Sequence, residues 1–285
     1  MQKTIIGGLS LLVLRVIVSY FNRKQIRQML IPRIKPELIL KKPLQQNDKT
    51  VNVLFLHHST GLNVWTGGVE QWFSKHQSQS QYSISEQHFP VNFGNDPFDY
   101  WNIWVKHAGP KPFINEPTLE MIAKEYNVVI FKHCFPVSVI EPGNVKPSVG
   151  SNQKTLDNYK LQYAALFTKL LEFPKTKFIL WTGASLVKGS TTPENAQRAK
   201  EFFEWVKNDW DKPGDNIFLW DFQSLETEGG LYLLDKFAVG PDDSHPNKVF
   251  SREVAPLFCQ RIVDVIEGRG DRGDRTGRQS VVTIQ

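Results

Sequence analysis

The stretch Val51 to Trp65, VNVLFLHHSTGLNVW, predicts the architecture of the chain. Its apolar run, Val51 to Leu56, has the length and the residue types of a buried β-strand. The run stops at His57-His58-Ser59-Thr60-Gly61, ahead of a predicted helix start. Ser59 has two interpretations here. It caps the helix, or its hydroxyl is a nucleophile at the edge of a sheet, close to backbone N–H groups that stabilise an oxyanion.

The pattern of strand followed by helix continues along the body of the chain. Further β-type runs lie at residues 82–88, 127–131, 177–182 and 216–221. Apolar residues with a period of 3.6 predict helices at 117–126, 155–173, 194–210 and 248–267. This alternation predicts an α/β fold with a mainly parallel sheet of five strands, covered by helices on both faces. Ligands bind beyond the carboxyl ends of such strands, so the residues that follow the strands should share one site.

A second polar segment, GPDDSHPN at residues 240–247, precedes the last predicted helix. An aspartate close before a histidine can accept a hydrogen bond from the imidazole Nδ1, which leaves Nε2 free to take a proton from a serine. Asp242 lies three residues before His245, and Asp243 is the alternative partner. The segment is equally compatible with a turn that exposes an uninvolved histidine.

Taken together, the two segments resemble the SGNH (GDSL-type) hydrolases over about residues 51–267. The family has a serine after its first strand and an Asp-x-x-His element before its last helix. The resemblance implies a three-layer, flavodoxin-like α/β/α sandwich, with Ser59 as nucleophile, His245 as base and Asp242 as its partner.

The resemblance is incomplete at the oxyanion hole. Cys134 stands where the family has an asparagine after the third strand, and a thiol is a poor donor. The family also uses a glycine N–H after the second strand, for which Gly94 is the candidate. His58 and His133 are candidates for substrate contacts. Alternation along a strand sends His57 and His58 to opposite sides, so at most one of them is expected to line the site.

The expected activity is that of a serine esterase that hydrolyses a carboxylic ester through an acyl-enzyme. The resemblance and nearby aromatic residues suggest an O-acyl group, such as an O-acetyl group, on a carbohydrate. Two alternatives remain: an O-acyltransferase with the same triad, and an inactive binding domain on the same fold. No metal or organic cofactor is required. The histidines and aspartates also make a metal site conceivable, but no HxH or HExxH spacing supports one.

The ends of the chain differ from its body. The formal net charge is +5, while residues 1–50 carry +8 and residues 268–285 carry +2, which leaves 5 − 8 − 2 = −5 for residues 51–267. A nucleic-acid partner is therefore not expected. Cys134 and Cys259 are expected to be buried free thiols.

The apolar segment 4–21 predicts a membrane anchor, with an exported signal segment or a surface-lying helix as alternatives. The basic residues that follow it favour a cytoplasmic body, whereas a signal segment would export the body. The side of the membrane on which the body lies therefore stays open. Residues 1–29 are this N-terminal segment, and residues 30–50 are expected to be a linker. The polar residues 268–285 are expected to be a disordered tail.

Overall fold

A computed structural model describes residues 39–43, 50–76, 82–143 and 146–278. A parallel five-stranded sheet forms the centre, with the strand order β2-β1-β3-β4-β5. The strands are β1 (Val51–His57), β2 (Tyr82–His88), β3 (Val128–Lys132), β4 (Lys177–Trp181) and β5 (Ile217–Trp220). The predicted runs are confirmed to within one residue at each end, and apolar residues dominate all of them except β2.

Helices connect the strands and cover both faces of the sheet. They are α1 (Ser59–Thr66), α2 (Val69–His76), α3 (Pro97–Tyr100), α4 (Leu119–Glu125), α5 (Leu156–Leu171), α6 (Pro193–Trp205), α7 (Phe222–Thr227) and α8 (Lys248–Ile266). Wider π-type turns extend α3 through Trp101–Lys106 and α6 through Val206–Trp210. A short antiparallel hairpin, β6 (Ala238–Gly240) and β7 (Asp243–Pro246), precedes α8.

Alternating strand residues build two separate cores. On β1, Leu54 and Leu56 pack with α4, α5 and α6 on one face of the sheet. Val53 and Phe55 pack with α1, α2 and α8 on the other face. Each of these four side chains is fully buried, which stabilises the fold by about 1.5–3 kcal/mol per side chain. The three-layer α/β/α sandwich is thereby confirmed.

The strand register brings the carboxyl ends of the strands to one edge. His57 pairs with His88, and Lys132 pairs with Trp181, which itself pairs with Trp220. Side chains from residues far apart in the chain therefore converge at this carboxyl edge, as expected for a parallel sheet.

The chain segments on either side of the expected domain also belong to the folded unit. Ile39 and Leu40 are buried, and the Lys41 N–H donates to the Gln87 side chain beside β2 at 2.9 Å, so these linker residues pack on the sheet. The C-terminal segment 268–278 packs at the opposite edge of the sheet, beside β5.

Three contacts hold that C-terminal segment. The backbone N–H of Asp221 donates to the Arg275 carbonyl at 2.8 Å, and the Trp220 indole donates to the Thr276 carbonyl at 3.0 Å. Arg275 also forms an ion pair with Asp211 at 2.9 Å. The prediction that the tail is disordered is therefore wrong for residues 268–278. It was based on composition, which does not detect contacts with distant residues.

The predicted anchor, residues 4–21, lies outside the described residues, as do residues 279–285 of the tail. No helix within the described part of the chain is long and apolar enough to span a bilayer.

Candidate active site

Ser59 is the first residue of α1, and His58 rather than Ser59 occupies the N-cap position. The extended backbone of His58 turns the chain from β1 into the helix, and its carbonyl accepts hydrogen bonds from the N–H groups of Gly61 and Leu62. The Ser59 side chain is exposed to solvent. The first N–H groups of a helix have no acceptor within the helix, so those of Ser59 and Thr60, together with the positive end of the helix dipole, are available beside the hydroxyl. The helix-cap interpretation of Ser59 is thereby excluded.

His245 meets Ser59 across 186 positions of sequence. Its Nε2 lies 2.8 Å from the Ser59 Oγ, and its side chain is one-third exposed. Two contacts place the histidine. The Asn63 side chain of α1 donates to the Pro246 carbonyl at 2.9 Å, and the Asn247 side chain holds β6 through the Ala238 carbonyl at 3.1 Å. The predicted meeting of the two polar segments is what the structure shows.

The carboxylate partner of His245 is Asp243, which corrects the expectation of Asp242. Asp243 Oδ1 lies 2.6 Å from the imidazole Nδ1 and accepts the His245 backbone N–H at 3.0 Å. These hydrogen bonds lower the pKa of Asp243, so it stays ionised. The reason is geometric. Residues 243–246 form a strand, in which side chains two apart share a side and those three apart do not. Asp242 instead faces Gly189.

Gly94 is not available to an oxyanion. Its N–H donates to the Asp99 carboxylate at 2.8 Å. Burial, together with the nearby Asp96 charge, raises the pKa of Asp99 to about 7. The loop after β2 thus uses the Gly94 N–H to hold its own turn, and the expectation of an oxyanion donor there is wrong.

Cys134 lies beside the nucleophile, and its expected role at the oxyanion stays a prediction. Its Sγ lies 4.0 Å from the Ser59 Oγ and 3.9 Å from the Thr60 Oγ1. Burial raises the pKa of this thiol, but the Lys132 charge and hydrogen bonds from its neighbours outweigh burial and the net pKa is lowered. The other cysteine, Cys259, is a buried free thiol, as expected.

The two histidines at the end of β1, His57 and His58, differ in how deeply they are buried. His57 is buried, and its ring nitrogens contact Glu86 at 3.0 Å and the His58 carbonyl at 2.9 Å. His58 is half-buried, stacks on His88 at 4.0 Å between ring centroids, and bonds the Pro90 carbonyl at 2.8 Å. Burial is the largest cause that lowers the pKa of both rings to about 4, so they are neutral near pH 7. Of the pair, only His58 is partly exposed, and its expected contact with substrate stays a prediction.

His133 does not fit its expected role in substrate binding. It is 1% exposed, and its ring lies edge-on to Tyr100 with 4.5 Å between centroids. Burial depresses its pKa well below the usual range. The residue after a strand is as often buried under the next loop as exposed at the edge, and sequence does not distinguish the two positions.

Two further residues at the site, Phe135 and Lys132, were not among the expected site residues. The Phe135 ring packs edge-on against His245, with 5.3 Å between centroids. Lys132 is fully buried and donates from Nζ to the Thr60 Oγ1 at 2.5 Å. The sequence signal for both was their position at the carboxyl end of the third strand, which marks a region and not a role.

No metal-binding group of three or more histidine, cysteine or acidic side chains occurs in the residues that the structure describes. The carboxyl edge instead holds the Ser59 hydroxyl, the His245 imidazole and the Asp243 carboxylate, each hydrogen-bonded to the next. This arrangement can activate the hydroxyl as a nucleophile.

No protein-family model and no curated protein matches the chain in sequence. Two solved structures are similar in fold. A gut microbial diltiazem-metabolizing enzyme is 13% identical and covers 82% of this chain with a TM-score of 0.47; the chain spans 50% of its length. The lipopolysaccharide acetyltransferase periplasmic domain of Salmonella ser. Paratyphi A is 14% identical, with a TM-score of 0.39, and the match covers 72% of this chain and 81% of that domain. At this distance neither likeness assigns an activity to the chain.

Proposed function

We propose that the protein is a serine esterase of the SGNH type that hydrolyses carboxylic esters through an acyl-enzyme. One observation carries this proposal: the Ser59 Oγ, the His245 ring and the Asp243 carboxylate form a continuous hydrogen-bonded row, with contacts of 2.8 Å and 2.6 Å. Nucleophile, base and orienting carboxylate at these distances are the arrangement that activates a serine in acyl transfer.

In the proposed reaction, the Ser59 oxygen attacks the ester carbonyl carbon while the His245 Nε2 takes the hydroxyl proton. Asp243 holds the imidazole orientation and stabilises its positive charge. The carbonyl oxygen becomes an oxyanion beside the first-turn N–H groups of α1. His245 then gives the proton to the departing alcohol, and the acyl group stays on Ser59. A water molecule, activated by His245 in the same way, releases the acid and restores the hydroxyl.

The exposure of the site to solvent favours hydrolysis of the acyl-enzyme over transfer of the acyl group to another alcohol. The side chains of His245 and Asp243 are 32% and 49% exposed, so water has access to the acyl-enzyme, whereas a transferase must keep water out. The proposed substrate class is an ester with a small acyl group, with a carbohydrate O-acetyl ester as the more specific form.

The test of this function compares the full-length protein with Ser59→Ala and with Ser74→Ala. Ser74 is an exposed serine on α2 and serves as the matched control. With a p-nitrophenyl acetate substrate, we expect Ser59→Ala to lower kcat by about 10³-fold or more, and Ser74→Ala to leave it unchanged. A fluorophosphonate probe should label Ser59 in the parent and in Ser74→Ala, and should not label Ser59→Ala. Equal rates in the parent and Ser59→Ala, with no labelling, would end the esterase proposal.

We further propose that residues 4–21 attach the protein to a membrane, because the segment is apolar and flanked by basic residues. Full-length protein should stay with the membrane pellet after an alkaline carbonate wash. Release into the supernatant would exclude a spanning anchor.

A further inference from the structure

A buried cation lies directly behind the nucleophile. Lys132 is the last residue of β3, its side chain is 0% exposed, and its ammonium donates to the Thr60 Oγ1 at 2.5 Å and to the His133 carbonyl at 2.8 Å. None of the ion pairs within the described part of the chain includes this ammonium, which lies over the Trp181 ring at 5.5 Å from the ring centroid. Burying a charge without a carboxylate partner is costly, and the mechanism described above does not use it.

The Lys132 ammonium is connected to the nucleophile by a short chain of polar atoms. Thr60 follows Ser59 in α1 and is fully buried. Since its oxygen accepts from Lys132, its hydrogen is free to point to the Cys134 Sγ at 3.9 Å, and that sulfur lies 4.0 Å from the Ser59 Oγ. The Lys132 network, which consists of Lys132, Thr60 and Cys134, therefore ends at the atom that attacks the substrate.

The titratable groups that interact with the Lys132 charge are His57, His58, His133, Cys134 and Glu226. Burial is the main cause that keeps the three histidines neutral near pH 7. Burial also raises the pKa of Glu226 to about 8, so this acid is largely protonated there. The positive charge therefore faces the Trp181 ring and the Cys134 thiol rather than an ion-paired carboxylate, and its field in this dry region is stronger than it would be in water.

We propose that Lys132 is a positioning residue of the esterase, which acts through Thr60 to hold positive potential at the Ser59 oxygen during acyl transfer. The inference rests on the proposed function. It also explains how the site operates without the asparagine of the related family, since negative charge develops beside α1 in the transition state. Lys132 itself does not touch the substrate.

The test uses the full-length protein and two kinds of substitution. Lys132→Met removes the charge and keeps the length of the side chain. Thr60→Val removes the connecting hydroxyl, and Thr60→Ser keeps it. Lys177→Met is the matched control, because Lys177 also binds backbone carbonyls, those of Val265 and Ile266, but at the amino end of β4.

We expect kcat for a p-nitrophenyl ester to fall about 10- to 100-fold in Lys132→Met and Thr60→Val, with KM changed by less than about threefold. Thr60→Ser and Lys177→Met should keep kcat near that of the parent. The thermal midpoint of Lys132→Met should equal or exceed that of the parent, since apolar replacement of a buried charge is often stabilising.

The pH profile separates a role of the charge from a purely structural one. Burial lowers the pKa of Lys132 below that of a free lysine, so its charge is lost at a lower pH than that of a free lysine, and this loss would form the alkaline limb of the profile. The parent should lose kcat on this alkaline limb, and Lys132→Met should not. The same limb in both proteins would overturn the proposal.

Each remaining outcome is also decisive. Unchanged kcat in Lys132→Met and Thr60→Val, while Ser59→Ala is inactive, overturns the inference and leaves the esterase function intact. If Lys132→Met does not fold, the comparison of Thr60→Val with Thr60→Ser decides, and equal kcat in these two overturns the proposal. Equal rates in the parent and Ser59→Ala instead remove the proposed function itself.

Discussion

At the scale of single residues, burial separates the polar side chains of the carboxyl edge into two layers. Ser59 and Asp243 are exposed and His245 is half-buried, whereas Lys132 and His133 have almost no exposed surface. The outer layer has the geometry for covalent catalysis, and the inner layer sets the potential beneath it. Residue type alone does not reveal this division, because histidine and lysine occur in both environments.

The assignment of Asp243 gives a direct prediction at this scale. Asp243→Asn removes the charge that orients the His245 ring, and we expect kcat for ester hydrolysis to fall about 10- to 1,000-fold. This loss is smaller than for a buried triad aspartate, since Asp243 is half-exposed and water can partly replace it. Asp242→Asn is the matched control and should change kcat by less than about twofold. Steady-state kinetics that show the larger loss in Asp242→Asn would contradict the observed contact.

At the scale of elements, the β6–β7 hairpin and the start of α8 act together to hold His245. Asn247 caps α8 by accepting the Phe250 N–H at 2.9 Å, and its amide donates to the Lys236 and Ala238 carbonyls at 2.9 Å and 3.1 Å. One side chain therefore ties the helix to the strand that lies beside the catalytic histidine. The hairpin is only three to four residues per strand, so it depends on such contacts for its position.

Replacing this cap should affect stability and catalysis together. Asn247→Ala is expected to lower the free energy of unfolding by about 1 kcal/mol and kcat by about tenfold, because His245 loses its fixed position. Thr192→Ala is the control. Thr192 caps α6 through the Asn195 N–H at 3.2 Å, away from the site. Chemical denaturation should show a similar loss in both variants, and kinetics should show a defect only in Asn247→Ala. An equal kcat in the two would mean that Asn247 does not position the histidine.

At the scale of the whole molecule, the folded unit extends beyond the strand-helix pattern. The segment 268–278 covers the end of β5, where Gly270 lies so close to Phe218 that a side chain at 270 would meet its ring at 2.5 Å. Linker residues 39–43 pack beside β2 at the other edge of the sheet. Both flanking segments therefore pack against the outer strands of the sheet.

Truncation tests the contribution of the C-terminal segment. A chain that ends at Glu267 loses the Arg275 and Thr276 contacts and exposes Phe218, so its thermal midpoint should fall by about 5 °C or more relative to a chain that ends at Arg278. Differential scanning fluorimetry of both chains makes the comparison. Equal midpoints would show that the packed segment adds nothing to stability.

The buried acid Glu226 gives the molecule a pH-dependent stability. Burial raises its pKa in the folded state to about 8, from an ordinary value of 4.5. Between these two values the folded state keeps a proton that the unfolded state has lost, so the free energy of unfolding decreases as the pH rises. Above the folded-state pKa this contribution no longer changes.

Glu226→Gln removes this titration and keeps the oxygen that accepts the Ser185 N–H at 2.6 Å. Between about pH 5 and about pH 8, the parent should lose about 3.5 kcal/mol more unfolding free energy than the variant. Urea denaturation at both pH values measures the difference. Parallel behaviour of parent and variant would show that Glu226 does not titrate in this range.

The sequence by itself determined the strands, the long helices and the two-sided core, which follow from the periodicity of apolar residues and from the rule that parallel strands align their carboxyl ends. The meeting of Ser59 with His245 was predicted from the resemblance of the two polar segments to the SGNH hydrolases. Only the tertiary structure decided that Asp243 rather than Asp242 orients the base, that Asp99 occupies the Gly94 N–H, and that His133 is buried. Each of these depends on local backbone direction and on neighbours distant in the chain. The packing of residues 268–278 has the same cause, because a polar composition does not exclude specific contacts with a surface that is formed elsewhere in the sequence.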